Sequence, residues 1–219
     1  MTLAEEDYIK AIYQLEADKK GNILTNDIAA KLSTKASSVT DMLKRLEKKG
    51  LIHYQKYQGV SLKENGKKFA LKLIRQHRLW ETFLVKSLGF GWESVHDIAE
   101  KLEHIHSDEL IERLDHFLGH PAFDPHGEPI PLEKGRIWEI KSQKLSEVEP
   151  GYEYVLDAVI QPDNEFLIYL NKINLQIGSV FKLKNIESYD RSVEIEMERQ
   201  TYFLSQETTF NLKVRKHGA

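Results

Sequence analysis

Residues 25–52, TNDIAAKLSTKASSVTDMLKRLEKKGLI, constrain the fold more than any other stretch. Ile28, Ala29 and Leu32 recur at helical spacing, so a short helix is expected over 26–32, capped by Thr25 or Asn26. Ser33-Thr34-Lys35 reads as a turn. A second helix over 36–49 turns Val39, Met42, Leu43 and Leu46 inward, and Gly50 stands where a C-terminal cap glycine belongs. Two short helices joined by a tight polar turn, the second one basic, form a helix-turn-helix pattern. Adjacent core helices give the same bare pattern, so its surroundings matter. Residues 51–63 are rich in aromatic and β-branched side chains around Gln58-Gly59 and read as a β-hairpin, the wing of a winged helix. The outward side of the second helix presents Lys35, Ser37, Ser38, Thr40, Asp41 and Lys44, groups that reach base edges and phosphates. Arg45, Lys48 and Lys49 add positive charge, and the hairpin brings Lys56 with Tyr54, Gln55 and Tyr57. Taken alone, Lys48-Lys49 is a solvated helix end that complements the helix dipole. Taken together, these residues predict double-stranded DNA as a partner.

Charge is unevenly spread along the 219 residues, although the formal net charge is only −3. Residues 30–63 hold eight Lys/Arg against Asp41 and Glu47; residues 91–133 hold eleven Asp/Glu against Lys101 and Arg113, with six of the nine histidines. A basic N-terminal segment suits an anionic partner, and an acidic, histidine-rich middle suits a cation. There is no cysteine, which excludes disulfides, iron–sulfur clusters and thiolate zinc sites. Any metal must be held by nitrogen and oxygen. No apolar run is long enough to span a bilayer and no signal-peptide pattern opens the chain, so a cytoplasmic protein without a membrane partner is expected.

The remaining chain divides by periodicity. Ile9, Ile12, Tyr13 and Leu15 mark a first helix over 4–17, and Phe69, Leu73, Leu79 and Phe83 mark a long one over about 65–87. Helices follow over about 92–105 and 107–118, the latter with a good cap at Ser107-Asp108-Glu109. FDPHGEPIP, residues 123–131, is a turn-rich connection, and residues 132–150 read as a linker. YEYVLDAVI, SVFKLKNI, SVEIEME and FNLKVR are short β-type runs, interrupted by a helical turn over 164–172. The expected fold class is mainly α with a small β-barrel domain. The expected domains are 1–64, 65–140 and 150–219.

Within the helix expected over 92–105, His96, Glu100, Glu103 and His104 fall along one stripe by i, i+3, i+4 and i+7 spacing. His77 and Glu81 share a face of the long helix, and Asp7 lies on the first helix. A solvated helix face is the ordinary explanation of any one such pair. Their convergence is harder to explain without a cation, because clustered carboxylates repel one another. Imidazole and carboxylate without sulfur suit Mn²⁺ or Fe²⁺; Zn²⁺, Co²⁺ and Ni²⁺ bind such donors in vitro by the Irving–Williams order.

The segments DYIKAIYQLE, SSVTDMLKRLEKKGLI, HRLWE (77–81), VHDIAEKLEHIHSDE (95–109) and PHGEPIP (125–131) carry a resemblance to a known family. Over essentially the whole chain, the sequence resembles the metal-dependent repressors that include the diphtheria toxin repressor, the iron-dependent regulators and the manganese transport regulators. The resemblance implies a winged helix-turn-helix, a helical dimerisation domain with metal sites and a C-terminal SH3-like barrel. It implies a metal-loaded homodimer that binds palindromic operators and represses metal-uptake genes. By the same resemblance the primary metal site is Asp7, Glu100, Glu103 and His104, and a second site is His77, Glu81 and His96. Iron-responsive members carry Met and Cys where this chain has Asp7 and Glu100, so Mn²⁺ is favoured over Fe²⁺. Lys10 stands where shorter manganese regulators with a binuclear site have a carboxylate. Asp124 and His126 stand where some streptococcal relatives have Cys and His ligands. With Glu81 and a barrel residue such as Asp157, Asp163 or Gln161, they would form an oxygen/nitrogen version of the second site.

Two other classes compete. A carboxylate/histidine cluster also serves metallohydrolases by activating water, but there is no HExxH motif and no Gly-rich phosphate loop. Nothing points to a small-molecule substrate. The third class is a DNA-binding module whose barrel docks a protein partner.

Overall fold

Thr2 starts the first helix by a capping box: its hydroxyl accepts the Glu5 N–H while the Glu5 carboxylate accepts the Thr2 N–H. In this computed structural model the described residues are 1–219 except Lys20, Tyr57, 133–136, 138–140, Gln161 and Ala219. Contacts divide them into two units. One comprises Met1–His77, Lys101–Asp108 and Pro131–Ile137; the other comprises Arg78–Glu100, Glu109–Ile130 and Trp138–Ala219.

The first unit contains α1 (Leu3–Asp18), α2 (Thr25–Lys31), α3 (Ala36–Lys48) and a hairpin of β1 (Ile52–Gln55) and β2 (Gly59–Leu62). The hairpin pairs Ile52 with Leu62 and Tyr54 with Val60, so both inward pairs reach the core. Ile9, Ile12, Ile28, Val39, Leu43, Leu46 and Ile52 are fully buried there. By area, each such side chain contributes about 1.5–3 kcal/mol of burial. The expected cap of α2 is corrected. Thr25 is already helical and Leu24 is the cap residue; Asp27 reaches back to accept the Leu24 N–H at 2.7 Å. The end of α3 is as expected. Gly50 adopts φ 72°, and its N–H and that of Leu51 close onto Glu47 and Leu46, a Schellman motif. Helix α4 (Glu64–Leu88) begins in this unit and continues into the other from Arg78.

The expected helix over 92–105 is also corrected. Trp92–Ser94 form a 3₁₀ turn in which the Ser94 hydroxyl bonds the Gly91 carbonyl; α5 spans only His96–Leu102. The backbone then closes a turn from Ile105 N–H to Leu102 O. Glu103 and His104 therefore lie beyond the helix, and the continuous stripe through His96, Glu100, Glu103 and His104 does not form. Helix α6 (Asp108–Phe117) follows.

The second unit ends in a six-stranded antiparallel sheet, order β3-β8-β4-β5-β6-β7, built from β3 (Gln143–Lys144), β4 (Glu153–Val159), β5 (Val180–Ile186), β6 (Val193–Met197), β7 (Gln200–Leu204) and β8 (Leu212–Lys216). Helix α7 (Asn164–Lys172) joins β4 to β5, and α8 (Gln206–Phe210) joins β7 to β8. Leu145, Leu156, Phe181, Leu183, Ile195 and Leu212 form its core. The linker expected over 132–150 thus stops short of Gln143: β3 pairs with β8, and Leu145 is fully buried. The 123–129 turn is fastened to this sheet, since Val159 N–H donates to His126 O at 2.9 Å. Gly127 has φ 82°, and a Cβ there would strike the Asp157 carbonyl, so no other residue fits. Among the described residues no helix is long and apolar enough to cross a membrane.

Candidate metal centres and nucleic-acid interface

In the first unit, Asp7 from α1 meets Glu103 and His104 from the turn after α5, with one donor atom of each within 4.8 Å of the others. His104 Nε2 lies 3.3 Å from Asp7 Oδ1. Glu103 is fully buried; its Oε2 accepts Lys10 Nζ at 2.6 Å and faces His77 Nδ1 at 2.5 Å. Lys10 Nζ also lies 3.3 Å from His77 Nδ1. Glu103 Oε1 is buried and has no hydrogen-bond partner among the described residues. An orphaned buried carboxylate oxygen costs about 1–3 kcal/mol or more, which a bound cation would relieve. The donors present, two carboxylates and an imidazole beside that orphan, fit Mn²⁺ or Fe²⁺.

The second unit gathers Glu81 from α4 with Asp124 and His126 from the 123–129 turn, all three buried and within 4.8 Å by one donor atom each. Asp124 Oδ1 accepts the N–H groups of His126 and Glu128, which shapes the turn. Its Oδ2 has no hydrogen-bond partner among the described residues, although Arg78 Nε lies 3.5 Å away. His126 Nε2–H donates to the Trp92 carbonyl at 2.9 Å, which leaves Nδ1 facing Glu81 Oε2 at 3.5 Å. Burial and the neighbouring Glu81 and Glu128 push Asp124 up to about 7, against the pull of Arg78 and His126. Burial alone would lower His126, but its bond to Glu81 and the charges of Glu81 and Asp124 outweigh it and raise it to about 9. Arg78 donates to Glu128 and to the Pro129 carbonyl and supplies the local positive charge. This donor set, with its own orphaned oxygen, also fits a hard divalent ion.

The other expected ligands fall as follows. His96 lies 3.4 Å from Glu81 and 3.6 Å from Glu100, in the second unit. Glu100, expected beside Asp7, is thus paired with His96 because α5 ends before Glu103. His77 is engaged with Glu103 and Lys10. Asp157 Oδ1 accepts the Arg215 Nε–H while its Oδ2 is buried, and burial raises the pKa of its carboxyl above the usual value. Asp163 is exposed and caps α7 by accepting the Phe166 N–H. Gln161 and Tyr57 lie outside the described residues. The sequence reading missed Glu6, a fully buried carboxylate that holds both His104 and His106. The stretch Glu5-Glu6-Asp7 was its signal: three carboxylates in one helical turn cannot share one face.

On α3, Lys35, Ser37, Ser38, Asp41, Lys44 and Lys48 are exposed, as is Lys56 on the hairpin. Thr40 is half-buried and bonds back to the Ala36 carbonyl. Lys49, counted above among the outward charges, instead grips both oxygens of buried Glu5 at 2.7 Å.

The sequence model described as the iron dependent repressor N-terminal DNA-binding domain matches residues 1–60, and that described as the metal binding and dimerisation domain matches residues 63–132. An HTH-type transcriptional regulator of Methanocaldococcus jannaschii is 37% identical over 118 residues, covering 54% of this chain and 94% of the relative. The diphtheria toxin repressor of Corynebacterium jeikeium is 27% identical over 201 residues, 81% of this chain and 83% of the relative. A solved manganese-dependent transcriptional repressor in complex with manganese superposes with TM-score 0.88 at 29% identity, covering 97% of this chain and 99% of the other.

Proposed function

We propose, from the premise that this chain belongs to the iron-dependent repressor family of metal-dependent, dimer-forming, DNA-binding transcriptional repressors, that it is a manganese-responsive repressor of metal-uptake genes. Family members and fold are repressors rather than enzymes. A metal-loaded homodimer in the cytoplasm would bind palindromic operators through α3, with Lys35, Ser37, Ser38, Thr40, Asp41, Lys44 and Lys48, and through Lys56 of the wing. Residues 1–64 form the DNA-binding part, 65–140 the dimerisation part and 150–219 the SH3-like part of this reading.

The observation that carries it is the buried, orphaned Glu103 Oε1 beside Asp7 and His104. These three would hold the primary ion, and Glu81, Asp124 and His126 a second one. An ion bound there supplies a positive charge that joins α1 to the turn after α5. The oxygen-rich donors favour Mn²⁺, with Fe²⁺ as the alternative and Zn²⁺, Co²⁺ or Ni²⁺ as in-vitro loads. Lys10 already balances one carboxylate charge of the cluster, so the primary site takes a single ion. Coupling to DNA follows from α1. Within one turn Glu5 holds Lys49 at the end of α3, while Asp7 faces His104. Fixing Asp7 fixes the turn that positions the end of the recognition helix. Glu103→Ala should lose one of two Mn²⁺ equivalents by calorimetry while keeping its helical circular dichroism; an unchanged stoichiometry in that variant would overturn the assignment.

A further inference from the structure

We infer that Glu6 is a positioning residue that sets His104 in its ligating tautomer; this rests on the reading of His104 as an ion ligand. Glu6 sits in the first turn of α1 and is fully buried, a place where a carboxylate must be compensated. Its Oε2 lies 2.7 Å from His104 Nδ1 and its Oε1 lies 2.9 Å from His106 Nε2. An ionised carboxylate only accepts hydrogen bonds, so the ring nitrogen facing each oxygen carries the hydrogen. His104 faces a carboxylate on each side, and the single N–H of a neutral ring goes to the shorter contact, Nδ1 to Glu6 at 2.7 Å, which leaves the lone pair on Nε2, 3.3 Å from Asp7 and open to an ion held there. His104 is 12% exposed at its side chain, and turning the imidazole over would give up the 2.7 Å bond from Nδ1 to Glu6. His106 occupies the second oxygen and stops the carboxylate from rotating away. The second centre uses the mirror arrangement: the Trp92 carbonyl takes Nε2–H of His126 and leaves Nδ1 for the cluster. In each centre an acceptor outside the donor set holds one ring N–H of a histidine, so the other nitrogen is the one that ligates once the ring is neutral. Such outer partners raise ligand basicity, and losing one costs about 10–100-fold in metal affinity.

The test has two readouts on the full chain. Long-range ¹H–¹⁵N spectra of the metal-free protein, at a pH where imidazole is neutral, should show His104 as the Nδ1–H tautomer. Glu6→Ala should shift it toward the Nε2–H form common in solution. Mn²⁺ affinity should fall about 10–100-fold in Glu6→Ala and recover most of the loss in Glu6→Gln, whose amide oxygen still accepts Nδ1–H. An Nε2–H tautomer in the unsubstituted protein, or an unchanged primary-site affinity in Glu6→Ala where His104→Ala abolishes binding at that site, overturns the inference alone. An unchanged affinity in His104→Ala overturns the ligand assignment and the inference with it.

Discussion

Lys10→Met removes the ammonium that lies against Glu103 in the first unit. The ammonium lies 2.6 Å from Glu103 Oε2, with Lys10 7% exposed and Glu103 fully buried. At an effective dielectric near 20, the gross attraction at that distance is about 6 kcal/mol. Much of it offsets desolvation of both ions, and breaking one side of such a pair costs about 3–5 kcal/mol. Met conserves most of the volume, so the loss is electrostatic rather than a cavity. Dividing about 3 kcal/mol by a urea slope of about 2 kcal/mol/M gives a midpoint lower by roughly 1.5 M in chelated protein. Mn²⁺ should restore more stability to the variant than to the unsubstituted protein, which gains about 2.7 kcal/mol at a hundredfold excess over Kd. Equilibrium urea unfolding with chelator and with Mn²⁺ measures both. An unchanged midpoint in chelator would refute the idea that Lys10 is the charge balancing Glu103.

The Glu5–Lys49 pair has a pH signature. The Lys49 hydrogen bond and the Thr2 N–H hold the Glu5 carboxyl below the usual range, so its stabilisation is present above about pH 4.5 and is lost as pH falls through the lower folded value. Glu5→Gln should therefore be less stable near neutrality and converge with the unsubstituted protein in acid; parallel urea midpoints would exclude the pair. At the second centre, Asp124 near 7 and His126 near 9 must shed protons to ligate, so Mn²⁺ binding near neutrality should release protons. Calorimetry in buffers of different ionisation enthalpy counts them, and no buffer dependence would sink the assignment. Lys44→Ala should weaken operator binding and lower the salt slope by about 1 while leaving Mn²⁺ affinity intact. An unchanged salt slope would remove Lys44 from the phosphate contacts.

Local periodicity made the first unit legible. Val39, Leu43, Leu46 and Gly50 define α3 and its end without help from tertiary contacts, and the β1–β2 hairpin follows from its strand-type residues. The candidate metal ligands were legible as residue types but not as groups. Helical spacing assigned Glu100 and Glu103 to one stripe, yet the backbone leaves the helix at Leu102 and sends them to different partners. The Glu5-Glu6-Asp7 run marked Glu6 as a carboxylate in need of a partner, but spacing could not reveal that its partners are two histidines about a hundred residues away. Leu145 was taken as linker because a two-residue strand and a 3₁₀ turn carry no periodicity; its burial comes from the core of the six-stranded sheet. Asp163 shows the opposite failure, since a capping aspartate looks like a donor until the helix behind it is seen.

In the proposed mechanism, ion binding at Asp7, Glu103 and His104 strengthens the grip of α3 on DNA. The affinity of the dimer of this 219-residue chain for a palindromic promoter fragment, titrated with Mn²⁺ after thorough chelation, tests this coupling. A coupling of about 1–3 kcal/mol predicts a 5–150-fold rise in the intact protein and none in Asp7→Ala. Equal affinity with and without Mn²⁺ in the intact protein would contradict the account.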